Sequence, residues 1–135
     1  MAFQIKWIPD EPILIVTGSG WLTVDDFKQM FADVAHEIDG VEGKIYRIAD
    51  YTTADSSFME ILKSIKLAST QVEGASSDPR IQTIFVGTSQ WISFGRTALQ
   101  QPQFGGIMIP TFDNMDDALA FARREIAKGL EETTA

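Results

Sequence analysis

The chain has 135 residues, no cysteine, and 11 Lys and Arg against 19 Asp and Glu, a formal charge of −8. That length fits one domain able to bury roughly two-thirds of the surface its unfolded form exposes, and the absence of cysteine excludes disulfides, thiolate metal sites and cysteine nucleophiles together. So acidic a surface repels phosphate backbones and anionic headgroups, so neither nucleic acid nor a membrane surface is an expected partner.

The first residues run straight into alternation: Phe3, Ile5 and Trp7 against Gln4, Lys6 and Ile8. This is the pattern of a strand with one buried face, not of a signal peptide. The longest aliphatic run, Ile13 to Val16, falls far short of the ~20 residues of a membrane span. The expectation is a protein of the cytoplasm, with no membrane insertion.

Pro9 to Pro12 reads as a turn, and Ile13 to Thr17 as a second strand antiparallel to the first because the connection is short. Gly18-Ser19-Gly20-Trp21 is read as the break that ends it. Thr23 is placed as the N-cap of a first helix, with Asp25 and Asp26 in the first turn, where negative charge suits the helix dipole. Phe27, Met30, Phe31, Val34, Ala35 and Ile38 form its apolar stripe, and Gly40 ends it.

Lys44 to Tyr51 is a third strand. Ser57 to Glu60 has the form of a capping box, followed by a second helix whose apolar face is Phe58, Ile61, Leu62, Ile65 and Ala68. A loop from Glu73 to Pro79 leads to a buried fourth strand, Ile81 to Val86. The third helix, Gln90 to Gln101, starts behind Ser89 as its cap. Its apolar residues spread wider than one stripe, so it is expected to display a surface for a homodimer. Ile107-Met108-Ile109 is read as the fifth strand. A last helix begins near Asn114, and Arg123, Arg124 and Lys128 are placed near its end, where cations complement the dipole. Residues 131–135 are read as a disordered tail, which leaves 1–130 as a single domain.

The order ββαβαβαβα implies right-handed crossovers between parallel strands. The expected α/β fold is a mixed five-stranded sheet with its first strand antiparallel at the edge and helices packed over it.

Val16-Thr17-Gly18-Ser19-Gly20-Trp21-Leu22-Thr23, the strand ending Ile48-Ala49-Asp50, and Phe112 with Asp116-Asp117-Ala118-Leu119-Ala120-Phe121 carry a family likeness over Phe3 to Ile126. In these the chain resembles the SpoIIAA-like group, which is related to the STAS domains of anti-sigma-factor antagonists. The resemblance implies a non-catalytic regulatory or partner-binding module. Classical antagonists carry a phosphorylatable serine in an Asp-Ser-Ser-Gly context at the start of the helix after the third strand. Here the matching residues are Asp55-Ser56-Ser57-Phe58, with phenylalanine in place of the glycine and an interval from Asp50 about three residues short. Ser56 or Ser57 is then a candidate phosphosite, and capping is the competing role of Ser57.

The residues themselves offer no catalytic set and no cofactor. Gly18 and Gly20 supply two-thirds of a dinucleotide fingerprint, but Thr23 stands where its third glycine belongs. His36, the sole histidine, lies off the helical stripe, and no metal set forms around it. Arg47 is the anomaly. Inside a central strand it either runs to the sheet surface at a gap between helices or anchors an anion in a pocket. Ligands of open α/β sheets bind beyond the carboxyl ends of the strands. That places Trp21, Asp50, Tyr51 and Trp91 at one rim, and Trp21 and Trp91 are expected to be partly exposed there around a shared cleft with Tyr51. The candidate occupant is a protein partner or a small apolar or amphipathic ligand.

Overall fold

The computed structural model describes residues 2–70 and 73–134, with side chains through Leu130. Five strands, β1 (Phe3–Trp7), β2 (Ile13–Trp21), β3 (Ile45–Asp55), β4 (Ile81–Val86) and β5 (Thr111–Phe112), form one sheet in sequence order. β1 is the antiparallel edge and every other pairing is parallel, as the alternation of strands and helices requires. The helices are α1 (Val24–Ile38), α2 (Phe58–Ser69), α3 (Gln90–Gln100) and α4 (Met115–Thr134). Among the described residues no helix is long and apolar enough to cross a membrane.

The two faces of the sheet build separate cores. Phe3, Leu14, Val16, Ala49, Tyr51 and Phe85 meet α1, α2 and α3, whereas Ile13, Tyr46, Ile48, Ile84 and Val86 meet α4. The split follows from strand alternation, since neighbouring residues of β3 point to opposite faces.

Helix starts follow local chemistry. Thr23 Oγ1 accepts from the Asp26 N–H (3.3 Å) while Asp26 Oδ2 accepts from the Thr23 N–H (2.9 Å), a reciprocal cap for α1. At α2 only half the expected box forms. Ser57 Oγ accepts from the Glu60 N–H (3.1 Å), but the Glu60 carboxylate accepts from Val24 N–H (2.8 Å) and so serves the first turn of α1. Ser89 stands at the N-cap of α3 without a side-chain hydrogen bond.

Several boundaries differ from the sequence reading, each for a physical reason. β2 is not broken at Gly18-Ser19-Gly20-Trp21; a register shift between Thr17 and Ser19 lets it continue beside β3 to the pair Trp21–Asp55. β3 correspondingly runs to Asp55 rather than ending at Tyr51. Ile107 to Ile109 pair with no strand, and β5 lies beyond Pro110, which has no N–H to donate; the ladder begins when the Phe85 N–H donates to Pro110 O (2.9 Å). α4 continues to Thr134, through most of what was read as a tail, and Ala135 lies outside the described residues. Arg123 and Lys128 are therefore inside the helix, not in its last turn, and pair with Glu11 and Glu125. Of the wider-spread apolar residues of α3, Phe94 packs edge-on against Phe58 at 5.3 Å and, like Ala98, is partly buried against the core.

Candidate functional site

Arg47 defines the site. It sits on the β3 face toward α1, level with Thr83 of β4, and is 1 % exposed. The reading that sends its side chain to the sheet surface is overturned. Its guanidinium is enclosed because groups from a folded-back loop and from β4 meet it there. Nη1 donates to Gly74 O, and Nη2 donates to Ser76 Oγ (3.1 Å) and Thr83 Oγ1 (2.9 Å), with the Phe31 ring 5.7 Å from its centre. The loop reaches this depth because Gly74 adopts φ +80° against α1, where a Cβ would overlap the Phe31 carbonyl oxygen.

None of these oxygens carries a charge. The Asp78 carboxylate is turned away, accepting from the Gly74 N–H (3.0 Å) and from the Arg80 Nη2 (2.8 Å). Burial pushes the Asp78 carboxyl up, but the Arg80 hydrogen bond, the N–H groups of Gly74 and Arg80 and the Arg80 charge outweigh it and hold it at about 2. Burial likewise lowers the Arg47 guanidinium to about 10 and raises the Tyr51 hydroxyl to about 12. At neutral pH Arg47 is therefore a cation and Tyr51 a protonated phenol.

Beside Arg47 lies a cavity of about 50 Å³ between the sheet and α1, α2 and α3. Its walls are mostly apolar, with Phe27, Met30, Ile61, Ile65 and Leu99 among them, and Tyr51 and Trp91 close it near the ends of β3 and β4. Two N–H groups of lining side chains, Arg47 Nε and Trp91 Nε1, are buried and have no hydrogen-bond partner among the described residues.

The structure brings together some of the expected site residues and separates others. Arg47, Tyr51 and Trp91 meet inside, with the Tyr51 and Trp91 rings 5.1 Å apart. Trp91 is 6 % exposed, so the expected exposed cleft shared with Trp21 does not form. The first turn of α3 directs Trp91 back over β3, while Trp21 stays outside, 56 % exposed at the end of β2. Asp50 is engaged locally, accepting from the Thr52 N–H (3.0 Å) and hydroxyl (2.8 Å). Ser57 Oγ is the cap described above, and Ser56 Oγ donates to Leu22 O (2.7 Å). Both serines are half-buried.

A second feature was missed. Phe58 and Met59, 54 % and 61 % exposed, stand outside the stripe of α2, and the Leu22 N–H to Asp55 O bond (2.8 Å) draws Trp21 to the same end of the molecule. The partners of Arg47 were missed as well, although Thr83, a polar residue in a mostly apolar strand, was a legible signal.

No family model and no curated protein matches the chain. Solved structures do. An uncharacterised protein of the DUF3478 family with a SpoIIAA-like fold, from Shewanella loihica, is 20 % identical with a TM-score of 0.59, covering 90 % of this chain and 92 % of its own. The anti-sigma factor antagonist SpoIIAA in its unphosphorylated form is 18 % identical with a TM-score of 0.56, covering 92 % of this chain and 98 % of its own. The strand order, the antiparallel edge and these likenesses agree: the chain has the SpoIIAA-like fold.

Proposed function

We propose that the chain is a non-catalytic regulatory module of the cytoplasm that binds a protein partner through the surface at the start of α2. The observation that carries this reading is the grouping of Trp21, Phe58 and Met59. The other large exposed apolar side chains of the described residues, Val41, Met108 and Leu130, belong to other parts of the chain. Exposed aromatic anchors of this kind supply most of the binding energy at protein interfaces. The solved protein named as an anti-sigma factor antagonist has the same fold, which supports a partner-binding role by analogy. Asp55, paired with Trp21 across the strands, borders the surface and would set the charge of its rim.

Phosphorylation at Ser57 or Ser56 belongs to the same reading. A phosphate at Ser57 would replace a neutral cap at the helix N-terminus with about two negative charges beside Asp55 and Glu60, changing the surface a partner meets. The test is affinity capture with the wild type and with a Trp21→Ser, Phe58→Ser, Met59→Ser triple variant of unchanged melting midpoint. One stoichiometric partner lost in the variant is expected. Identical capture by both, or none by the wild type, overturns the reading. Light scattering on the same samples identifies a second copy as that partner if the wild type runs at about 30 kDa, twice the 15.0 kDa chain, and the variant does not.

A further inference from the structure

Three observations converge on the cavity beside Arg47 and stand apart from the partner surface. The first is chemical polarity. The free groups of its lining are donors: a guanidinium never accepts a hydrogen bond and an indole N–H only donates. The second is charge. Arg47 is 1 % exposed, yet its hydrogen-bond partners, Gly74 O, Ser76 Oγ and Thr83 Oγ1, are neutral, and Asp78 is committed to Arg80 and Gly74. Asp78 acts on the guanidinium only through space, and a buried cation hydrogen-bonded to neutral oxygens alone is costly unless something anionic meets it. The third is the wall, which is aliphatic and aromatic along α1, α2 and α3.

We infer that this cavity is a binding site for a short apolar monocarboxylate, its carboxylate held by the Arg47 Nε–H and the Trp91 indole N–H and its body lying against Phe27, Ile61 and Leu99. A carboxylate, with two acceptor oxygens, suits two N–H donors. A phosphate, with more charge and more oxygens, would leave acceptors facing an apolar wall. The volume of about 50 Å³, a third of the roughly 150 Å³ that benzene's six carbons fill, limits the body to about two or three carbons. Tyr51, packed on Trp91, presents a protonated hydroxyl near the same place and adds no competing charge.

The experiment is a titration of ¹⁵N-labelled protein with sodium butyrate at constant ionic strength, with 1-butanol and butyramide as neutral comparators, following the indole N–H signals. Trp91→Phe assigns the Trp91 signal by its disappearance, keeps an aromatic ring in place and removes one donor. Butyrate is expected to move the Trp91 signal saturably and to bind about tenfold or more tightly than either neutral analogue, the usual advantage of hydrogen bonds to a charged group. Trp91→Phe should weaken butyrate about fivefold or more and leave 1-butanol unchanged. Arg47→Met should erase the preference for butyrate; where that variant does not fold, Trp91→Phe decides alone. The inference is overturned by no saturable shift with butyrate, by equal binding of butyrate and 1-butanol, or by butyrate affinity indifferent to Trp91→Phe. The Trp21, Phe58 and Met59 variant should bind butyrate normally, which separates this result from the fate of the partner surface.

Discussion

The two faces of the sheet solve the same packing problem in different ways. Behind β2, β3 and β4, Ile13, Ile48, Ile84 and Val86 receive Ala118 and Ala122 of α4, and all six are fully buried. Small residues on the helix let it settle directly on aliphatic strands, and no buried polar side chain is required. In front, three helices leave room for larger rings, and one strand position between Tyr46 and Ile48 is a guanidinium tied to a returning loop. The back face is built for close packing alone. The front face gives up density around a polar anchor and a cavity, which is where a protein of this size can hold something besides itself.

The comparison breaks most severely at Gly74. Gly74→Ala forces a side chain into a left-handed residue and against the Phe31 carbonyl, so it should cost about 4 kcal/mol in urea unfolding and free the loop from Arg47. A loss under about 1 kcal/mol would show that the loop adapts readily. On the back face, Ala118→Leu should cost about 2.5 kcal/mol because nothing there can move aside for three more carbons.

Acid acts on the front loop. The Asp78 carboxyl, at about 2 when folded, lies below its ordinary 3.8, so the unfolded chain takes up the proton first as pH falls. Its contribution is complete above about pH 5 and is lost as pH falls through about 2; about 1.5 kcal/mol is expected, allowing for water around Arg80. Asp78→Asn should lower stability at neutral pH and flatten that slope. Ser57→Ala removes the α2 cap and should cost about 1 kcal/mol of stability in urea unfolding. The smallest effect has the opposite sign. Gly95→Ala on α3 places a Cβ 3.6 Å from Ile61 Cγ2 at the cavity, and should stabilise by about 0.8 kcal/mol through helix propensity alone. An added methyl would then help the front face where added bulk harms the back, and thermal midpoints of both variants measure the contrast.

Much of the fold was legible because it is written in short-range chemistry. The Thr23 cap, the stripe from Phe27 to Ile38 and the alternation of Phe3, Ile5 and Trp7 each act within a few residues. What was misread depends on neighbours far along the chain. Gly18 and Gly20 look like a stop, yet β2 persists because β3 offers partners as far as Asp55. Ile107 to Ile109 have strand composition, but the pairing starts past Pro110. At the site, Arg47 was visible as an anomaly, whereas Gly74 and Ser76 lie 27 and 29 residues away and nothing local marks them as its partners. Trp21 and Trp91 each follow a strand end in similar surroundings, and only tertiary packing sends one outward and the other inward.

The sheet order, β1 through β5 in the order of the chain, bears on how the molecule is born. On the ribosome each new strand meets a neighbour that has already emerged, so the sheet can zip forward without waiting for a distant segment. The front layer closes in step with it, as α1, α2 and α3 alternate with the strands. The back layer has one cover, the 20-residue α4, made after the last strand. At synthesis rates of about 5 to 20 residues per second, Ile13, Ile48 and Ile84 stay open to chaperones, or to another nascent chain, for about 1 to 4 seconds after the sheet is complete.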